Sequence, residues 1–213
     1  MTARPGKSDQ MSLFPMFVKL RGRRCVVVGA GRVAAGKASG LLRHGAQVTV
    51  VAPRASAWVQ ARQRAGKLVW RKRQFRAGDV QRSFLVVAAT DSAEVNAAVF
   101  RACARRGVLC NVVDDAEHCD FFYPAVVERG ALQIAISTGG RSPALARRLR
   151  RELQQQFGPE YGAWVEQVAR ARGEVLARAL PAGMRGRLLK EIASRSAWEA
   201  FAGPRGVRAG RKR

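Results

Sequence analysis

The stretch VVVGAGRVAAGKASGLL, residues 26–42, fits two phosphate-binding patterns at once. Counted from Gly29 it is G-x-G-x-x-A, the turn that receives a dinucleotide pyrophosphate. Counted from Gly31 it is G-x-x-x-x-G-K, nearly a nucleoside triphosphate loop. That second pattern requires Ser or Thr directly after the lysine, because the hydroxyl coordinates magnesium. Here Ala38 follows Lys37, and Ser39 lies one place late, about 100° further round a helix. Helical apolar spacing also begins at Val33, which puts Gly36 and Lys37 inside a helix and not in a loop. The dinucleotide pattern meets its requirements. A β-branched run, CVVVG at 25–29, precedes it; Gly29 permits the tight turn, Gly31 lets backbone approach the pyrophosphate, and Ala34 allows close helix-to-strand packing. Gly45 stops the helix, and His44 sits where a histidine offsets the helix C-terminus.

Outward from this turn, strand and helix signals alternate. QVTVVAP (47–53) reads as a second strand, LVWRKRQF (68–75) as a more exposed third and FLVVAAT (84–90) as a buried fourth. Asp91 stands where an N-cap belongs, ahead of a helix with Val95, Ala98, Val99 and Cys103 on one face and Gly107 as its stop. LCNVVD (109–114) closes the series. The expected fold class is α/β, a Rossmann-like, doubly wound parallel sheet over residues 23–118. Before it, residues 1–22 read as an extension in which SLFPMFVKL forms a short edge segment.

The pattern then changes. FFYPAVVERG (121–130) and ALQIAIST (131–138) are β-rich and meet at Arg129-Gly130, so residues 119–142 read as a β-hairpin segment. Ser142 is the expected N-cap of the next helix, with Pro143 at its first position and Leu145, Leu149 and Leu153 on its apolar face. Residues 143–202 read as a small helical domain and 203–213 as a solvated basic tail.

Composition bounds the function. The formal charge is +24, from 39 Lys and Arg against 15 Asp and Glu. Such a field attracts polyanions. The basic residues are nevertheless spread along the chain, without the basic-aromatic alternation of a single-strand binder, so nucleic acid is disfavoured as partner. No apolar run approaches the roughly 18 residues of a membrane span, and the N-terminus lacks the apolar core of a secretory signal. A cytoplasmic protein is expected. The four cysteines, Cys25, Cys103, Cys110 and Cys119, form no C-x-x-C pair; neither a metal site nor a disulfide framework is expected. His118 with Cys119 alone makes no metal site by spacing, and His118 reads as a solvent-exposed loop histidine.

The segment after the second strand reads VVAPR, with Pro53 and Arg54 where an NAD site commonly carries an acid for the ribose hydroxyls. An arginine there suits a 2′-phosphate equally well, so NAD and NADP both stay open.

The ordered set GAGRVAAGKASGLL, VTVVAP, VVAATD, NVVDDAEHCDFFYPAVVERG and ISTGGRSPALARRLR resembles the precorrin-2 dehydrogenase / sirohydrochlorin ferrochelatase family of sirohaem synthesis, over roughly residues 11–155. The match is to the N-terminal part of sirohaem synthases, expected here as a stand-alone form without the fused methyltransferase. The resemblance implies an NAD-binding Rossmann domain, a dimerisation region at the hairpin and a helical tail domain. It implies dehydrogenation of precorrin-2, a tetrapyrrole with eight carboxylates, to sirohydrochlorin with NAD as hydride acceptor. Some members also insert ferrous iron, which is then a substrate and not a resident metal. The resemblance assigns NAD contacts to Gly29, Gly31, Arg32 and Val33, to Pro53 and Arg54, and to Thr90. Its catalytic carboxylate falls on Asp114, at the carboxyl end of a parallel strand, with Asp115 as the alternative. Substrate contacts fall on Asn111, Ser137, Thr138, Gly139 and Ser142, although some relatives carry serine at the position of Thr138. A homodimer is implied. Two rival readings remain: a dinucleotide-sensing regulatory domain without catalysis, and a nucleic-acid binder.

Overall fold

The computed structural model describes residues 13–206, with side chains through residue 203. The start of the expected N-terminal extension and most of the expected basic tail lie outside these residues. The chain divides into two compact units, Leu13–Phe122 and the part from Tyr123 onward.

The first unit is a five-stranded parallel sheet. Its strands are β1 (Arg24–Val28), β2 (Gln47–Val51), β3 (Val69–Arg71), β4 (Leu85–Ala88) and β5 (Leu109–Val112), in the order β3-β2-β1-β4-β5. β1 is central and pairs in register with both neighbours, Val28 lying beside Val51 on one side and Ala88 on the other. Side chains alternate across the sheet. Cys25 and Val27 pack on one face with Ala34, Ala38 and Leu41 of α1 (Arg32–Arg43) and Val59 of α2 (Ala57–Arg64). Val26 and Val28 pack on the other with Val99, Ala102 and Cys103 of α3 (Ala93–Ala104). Strands buried on both faces explain the unbroken β-branched runs, and each fully buried valine contributes about 1.5–3 kcal/mol.

Several elements differ from the sequence expectation. Residues 13–20 form no edge strand: Pro15 has no amide hydrogen to offer a ladder, and Phe14 and Phe17 are exposed. α2 lies between β2 and β3 where no helix was expected; Val59 is its one fully buried side chain, too little to create a helical period. β3 covers three residues instead of eight, because Arg71 and Arg73 turn aside to a buried carboxylate, Asp79. The N-cap of α3 is Ser92, whose hydroxyl accepts from the Val95 N–H, and not Asp91. The first unit also ends at Phe122, four residues beyond the expected boundary at His118. Asn111 and Cys119 form an isolated antiparallel bridge, and the Asp120 carboxylate accepts from the Cys110 N–H at 2.8 Å. His118 is not a free loop residue: it closes a 3₁₀ turn, its ring 4.7 Å from that of Phe100. His44 caps α1, donating Nδ1–H to the Gly40 carbonyl at 2.8 Å. The four cysteines carry free thiols.

In the second unit, β6 (Ala125–Arg129) and β7 (Leu132–Ile136) form an antiparallel hairpin. Gly130 begins its two-residue turn at φ +58°, a conformation that favours glycine. Arg129 reaches the C-terminal end of α4 (Pro143–Gln156), donating to the carbonyls of Phe157 and Gln154 at 2.8 and 3.0 Å. The α4 face centres on buried Ala146, leaving Leu145 at its exposed edge. Helices α5 (Glu160–Ala177), α6 (Ala182–Glu191) and α7 (Arg195–Gly206) follow, α7 kinking at Gly203. Tyr161 stacks on Trp198 at 4.0 Å, and Trp164 and Phe201 extend this aromatic core. No helix among the described residues is long and apolar enough to cross a membrane.

Candidate dinucleotide cleft and its carboxylate loop

Strand order reverses between β1 and β4, and parallel sheets place their ligand crevice at the carboxyl ends of such strands. Gly29 ends β1 there with φ +104°. A Cβ on it would collide with the Ala89 carbonyl, so only glycine fits. At Gly31 an added Cβ would meet nothing within 4 Å: the backbone borders open space. Gly31 is the N-cap of α1, yet no side chain caps this helix and its first turn holds no acid. Gly31, at the positive pole of the α1 dipole, lines a cavity of about 740 Å³. The neighbouring α3 is the contrast, since Ser92 caps it and Glu94 neutralises its first turn.

Five of the seven residues expected to hold the cofactor line this cavity: Gly29, Gly31, Pro53, Arg54 and Thr90. Arg32 and Val33 do not. They form the exposed first turn of α1 and offer backbone, with the Val33 side chain half exposed. Thr90 is fixed by Asn96: its Oγ1–H reaches Asn96 Oδ1 at 2.7 Å, and Asn96 Nδ2 donates back to the Thr90 carbonyl at 3.0 Å. Gln74 and Phe75 also line the cavity and were not foreseen. No spacing marks them, because the Asp79 carboxylate places them: Arg71, Arg73 and the Arg76 N–H all donate to it at 2.6–2.9 Å. Burial alone would raise the Asp79 carboxyl, but the hydrogen bonds from Arg73, Arg76 and Arg71 outweigh it and hold the pKa at about 2.

Asp114 follows β5. Its backbone lies at φ +62°, third in a four-residue turn closed by the Asp115 N–H on the Val112 carbonyl. Asp115, the alternative carboxylate, is committed: it accepts from the His118 ring at 2.7 Å and caps the His118 N–H. Asn111 is likewise diverted from the substrate role expected of it. It is buried, and its amide donates to the Phe121 carbonyl at 2.8 Å and to Cys119 Sγ at 3.2 Å, clamping the loop that carries Asp114. Burial pushes the Cys119 thiol up, which keeps it protonated toward the carbonyls of Val112 and Asp115, each at 3.1 Å.

In the second unit, Ser137 Oγ accepts from the Gly139 N–H, Thr138 Oγ1 from the Ser142 N–H and Ser142 Oγ from the Leu145 N–H. Accepting in this way shapes the turn and leaves each hydroxyl its own hydrogen to donate. Gly139 and Gly140, at φ +60° and +77°, make the turn possible.

Residues 16–125 match the model of a family described as putative NAD(P)-binding, and residues 129–156 match one described as sirohaem biosynthesis protein, central. The chain belongs to the NAD(P)-binding family of sirohaem biosynthesis. Among relatives of this family, the siroheme synthase of Photorhabdus laumondii is 40% identical over 168 residues, which are 79% of this chain and 36% of that protein. Siroheme synthase 1 of Pectobacterium atrosepticum is 43% identical over 156 residues, 73% of this chain and 32% of that protein. The chain thus spans about a third of the length of these curated relatives. Among solved structures, "SirC, precorrin-2 dehydrogenase" aligns with a TM-score of 0.76 at 26% identity, over 92% of this chain and 96% of that one.

Proposed function

We propose that this chain is an NAD-dependent dehydrogenase that converts precorrin-2 to sirohydrochlorin in sirohaem biosynthesis, acting in the cytoplasm as a homodimer through its hairpin segment. The observation that carries the reading is the uncapped α1 terminus over an open glycine turn, in a chain similar almost end to end to a precorrin-2 dehydrogenase. Gly29, Gly31 and the backbone of Arg32 and Val33 would hold the pyrophosphate; Pro53, Arg54 and Thr90 would border the rest of the dinucleotide. The chemistry that a nicotinamide dinucleotide supplies when bound is acceptance of a hydride from the macrocycle. Asp114 takes the accompanying proton, as a general base placed on the loop that Asn111 and Cys119 clamp. Ser137, Thr138 and Ser142 offer O–H groups to substrate carboxylates from the turn that Gly139 shapes. The same carboxylate of Asp114 serves ferrous iron insertion by accepting pyrrole protons, with iron entering as substrate.

Anaerobic turnover of precorrin-2 with NAD, and separately with NADP, followed spectroscopically as sirohydrochlorin forms, tests the reading. Turnover is expected with NAD, and loss of at least 100-fold in Asp114→Ala. Tight NAD binding without turnover would favour the sensing domain instead. Adding ferrous iron to the sirohydrochlorin product tests chelation, and sedimentation tests the dimer; an unambiguous monomer removes that part of the proposal.

A further inference from the structure

The first unit holds a second cavity, of about 420 Å³, at the end of the sheet away from the dinucleotide cleft. Leu42 and Arg43 of α1 and Trp58 and Arg62 of α2 line it, together with Ala46 and Lys67 from the turns that lead into β2 and β3. Ala52, at the other end of β2, lines the dinucleotide cleft. From Ala46 to Ala52 the strand covers about 20 Å, so the two sites are separate.

The cations of this second cavity have no internal counter-charge. Between Asp9 and Asp79 the sequence carries 15 Lys and Arg and no Asp or Glu, so no acid close in the chain can neutralise Arg43, Arg62 or Lys67. Among the described residues, no carboxylate forms an ion pair with any of the three. Nor are they taken up by the helix ends beside them. The Leu41 and Leu42 carbonyls accept from the N–H groups of His44, Gly45 and Ala46, and those of Ala61, Arg62 and Gln63 accept from Ala65, Lys67 and Gly66. All three side chains are exposed, and the Arg62 guanidinium lies over the Trp58 ring, 5.4 Å from its centre, which sets a cation beside an aromatic wall. A concave site that combines apolar lining with a few charged groups suits a small ligand, and here the charges are all positive.

We propose that this cavity is a second anion site, taking a small phosphorylated or polycarboxylate molecule whose charges meet Arg43, Arg62 and Lys67 and whose apolar body lies against Leu42 and Trp58. Charge-assisted contacts to guanidinium and ammonium groups supply the affinity. The volume limits the occupant to something smaller than the dinucleotide, for which the other cleft has about 740 Å³.

The test is calorimetric titration of the full chain with ADP, citrate and inorganic pyrophosphate at about 0.1 M salt, in saturating NAD so that the dinucleotide cleft is filled. ADP or citrate should bind with a Kd below about 1 mM. Binding of ADP without citrate identifies a phosphorylated ligand, and the reverse a polycarboxylate. The double variant Arg62→Gln/Lys67→Gln should weaken that binding at least tenfold, and Trp58→Phe should weaken ADP or citrate more than pyrophosphate, with the NAD Kd unchanged within twofold throughout. If the double variant does not fold, Arg43→Gln decides with a loss of threefold or more. Absence of binding by ADP and citrate overturns the proposal, as does binding that the variants leave unchanged. A labelled DNA duplex bound more tightly than either small anion, and weakened by the same variants, would overturn it in favour of a nucleic-acid face. Failure of NAD itself to bind would count against the dehydrogenase reading and leaves the comparison of variants intact.

Discussion

Asp114 occupies a backbone conformation at φ +62° that a glycine would adopt without steric cost. An L-residue there costs on the order of 1 kcal/mol, less for aspartate than for most. Replacing it by glycine relieves that cost but adds about 0.5–1 kcal/mol of chain entropy to the unfolded state. The two terms nearly cancel. Asp114→Gly is therefore expected to melt within about 3 °C of wild type while losing turnover at least 100-fold. A melting point lowered much further, measured calorimetrically, would mean that the carboxylate holds the loop and is structural. Sequence motifs indicated Asp114 because NVVD ends a strand. They did not separate it from Asp115, whose carboxylate accepts from the His118 ring. The clamp that Asn111 makes was not legible for a related reason, since the spacing of a motif records neither burial nor which donors are already used.

At the scale of elements, the β-branched runs and glycine stops made the buried strands of the parallel sheet legible, whereas the segment between β2 and β4 was not. α2 buries one side chain fully, and β3 breaks off after three residues because a single carboxylate draws Arg71 and Arg73 together. Such a staple joins residues eight apart through side chains, which hydrophobic periodicity does not encode. Its worth can be bounded. With the Asp79 pKa held at about 2, below the ordinary 3.8, the group contributes stability that is present above about pH 4 and is lost as pH falls toward 2. The magnitude is about 2 kcal/mol. It stays below the about 3–5 kcal/mol of breaking a fully buried pair, because Arg71 and Arg73 are 46% and 33% exposed and can rehydrate. Asp79→Asn should lose this amount in urea unfolding at pH 7, and the gap to wild type should close between pH 4 and 2. The same variant should weaken NAD binding severalfold, since Gln74 and Phe75 line the cleft from within the stapled loop. An unchanged NAD Kd would show that the loop is a spectator.

For the whole molecule, the dominant quantity is the formal charge of +24. Long-range attraction of this kind raises the encounter rate of a multiply charged anion by about 10–1000-fold and falls off over a Debye length of about 10 Å at 0.1 M salt. Precorrin-2 carries eight carboxylates, whereas NAD carries a pyrophosphate whose charge is partly offset by the nicotinamide ring. If the field serves the substrate, raising potassium chloride from 0.05 to 0.5 M should increase the KM for precorrin-2 about tenfold or more and that for NAD far less. kcat should hold, because the field acts on encounter and not on the proton transfer proposed for Asp114. A field serving nucleic acid would instead give tight duplex binding whose log affinity falls steeply with log salt. Steady-state kinetics across the salt series, paired with anisotropy of a labelled duplex, separates the two. Equal salt sensitivity for both substrates, together with salt-dependent duplex binding, would detach the charge from the dehydrogenase reaction and assign it to a second ligand.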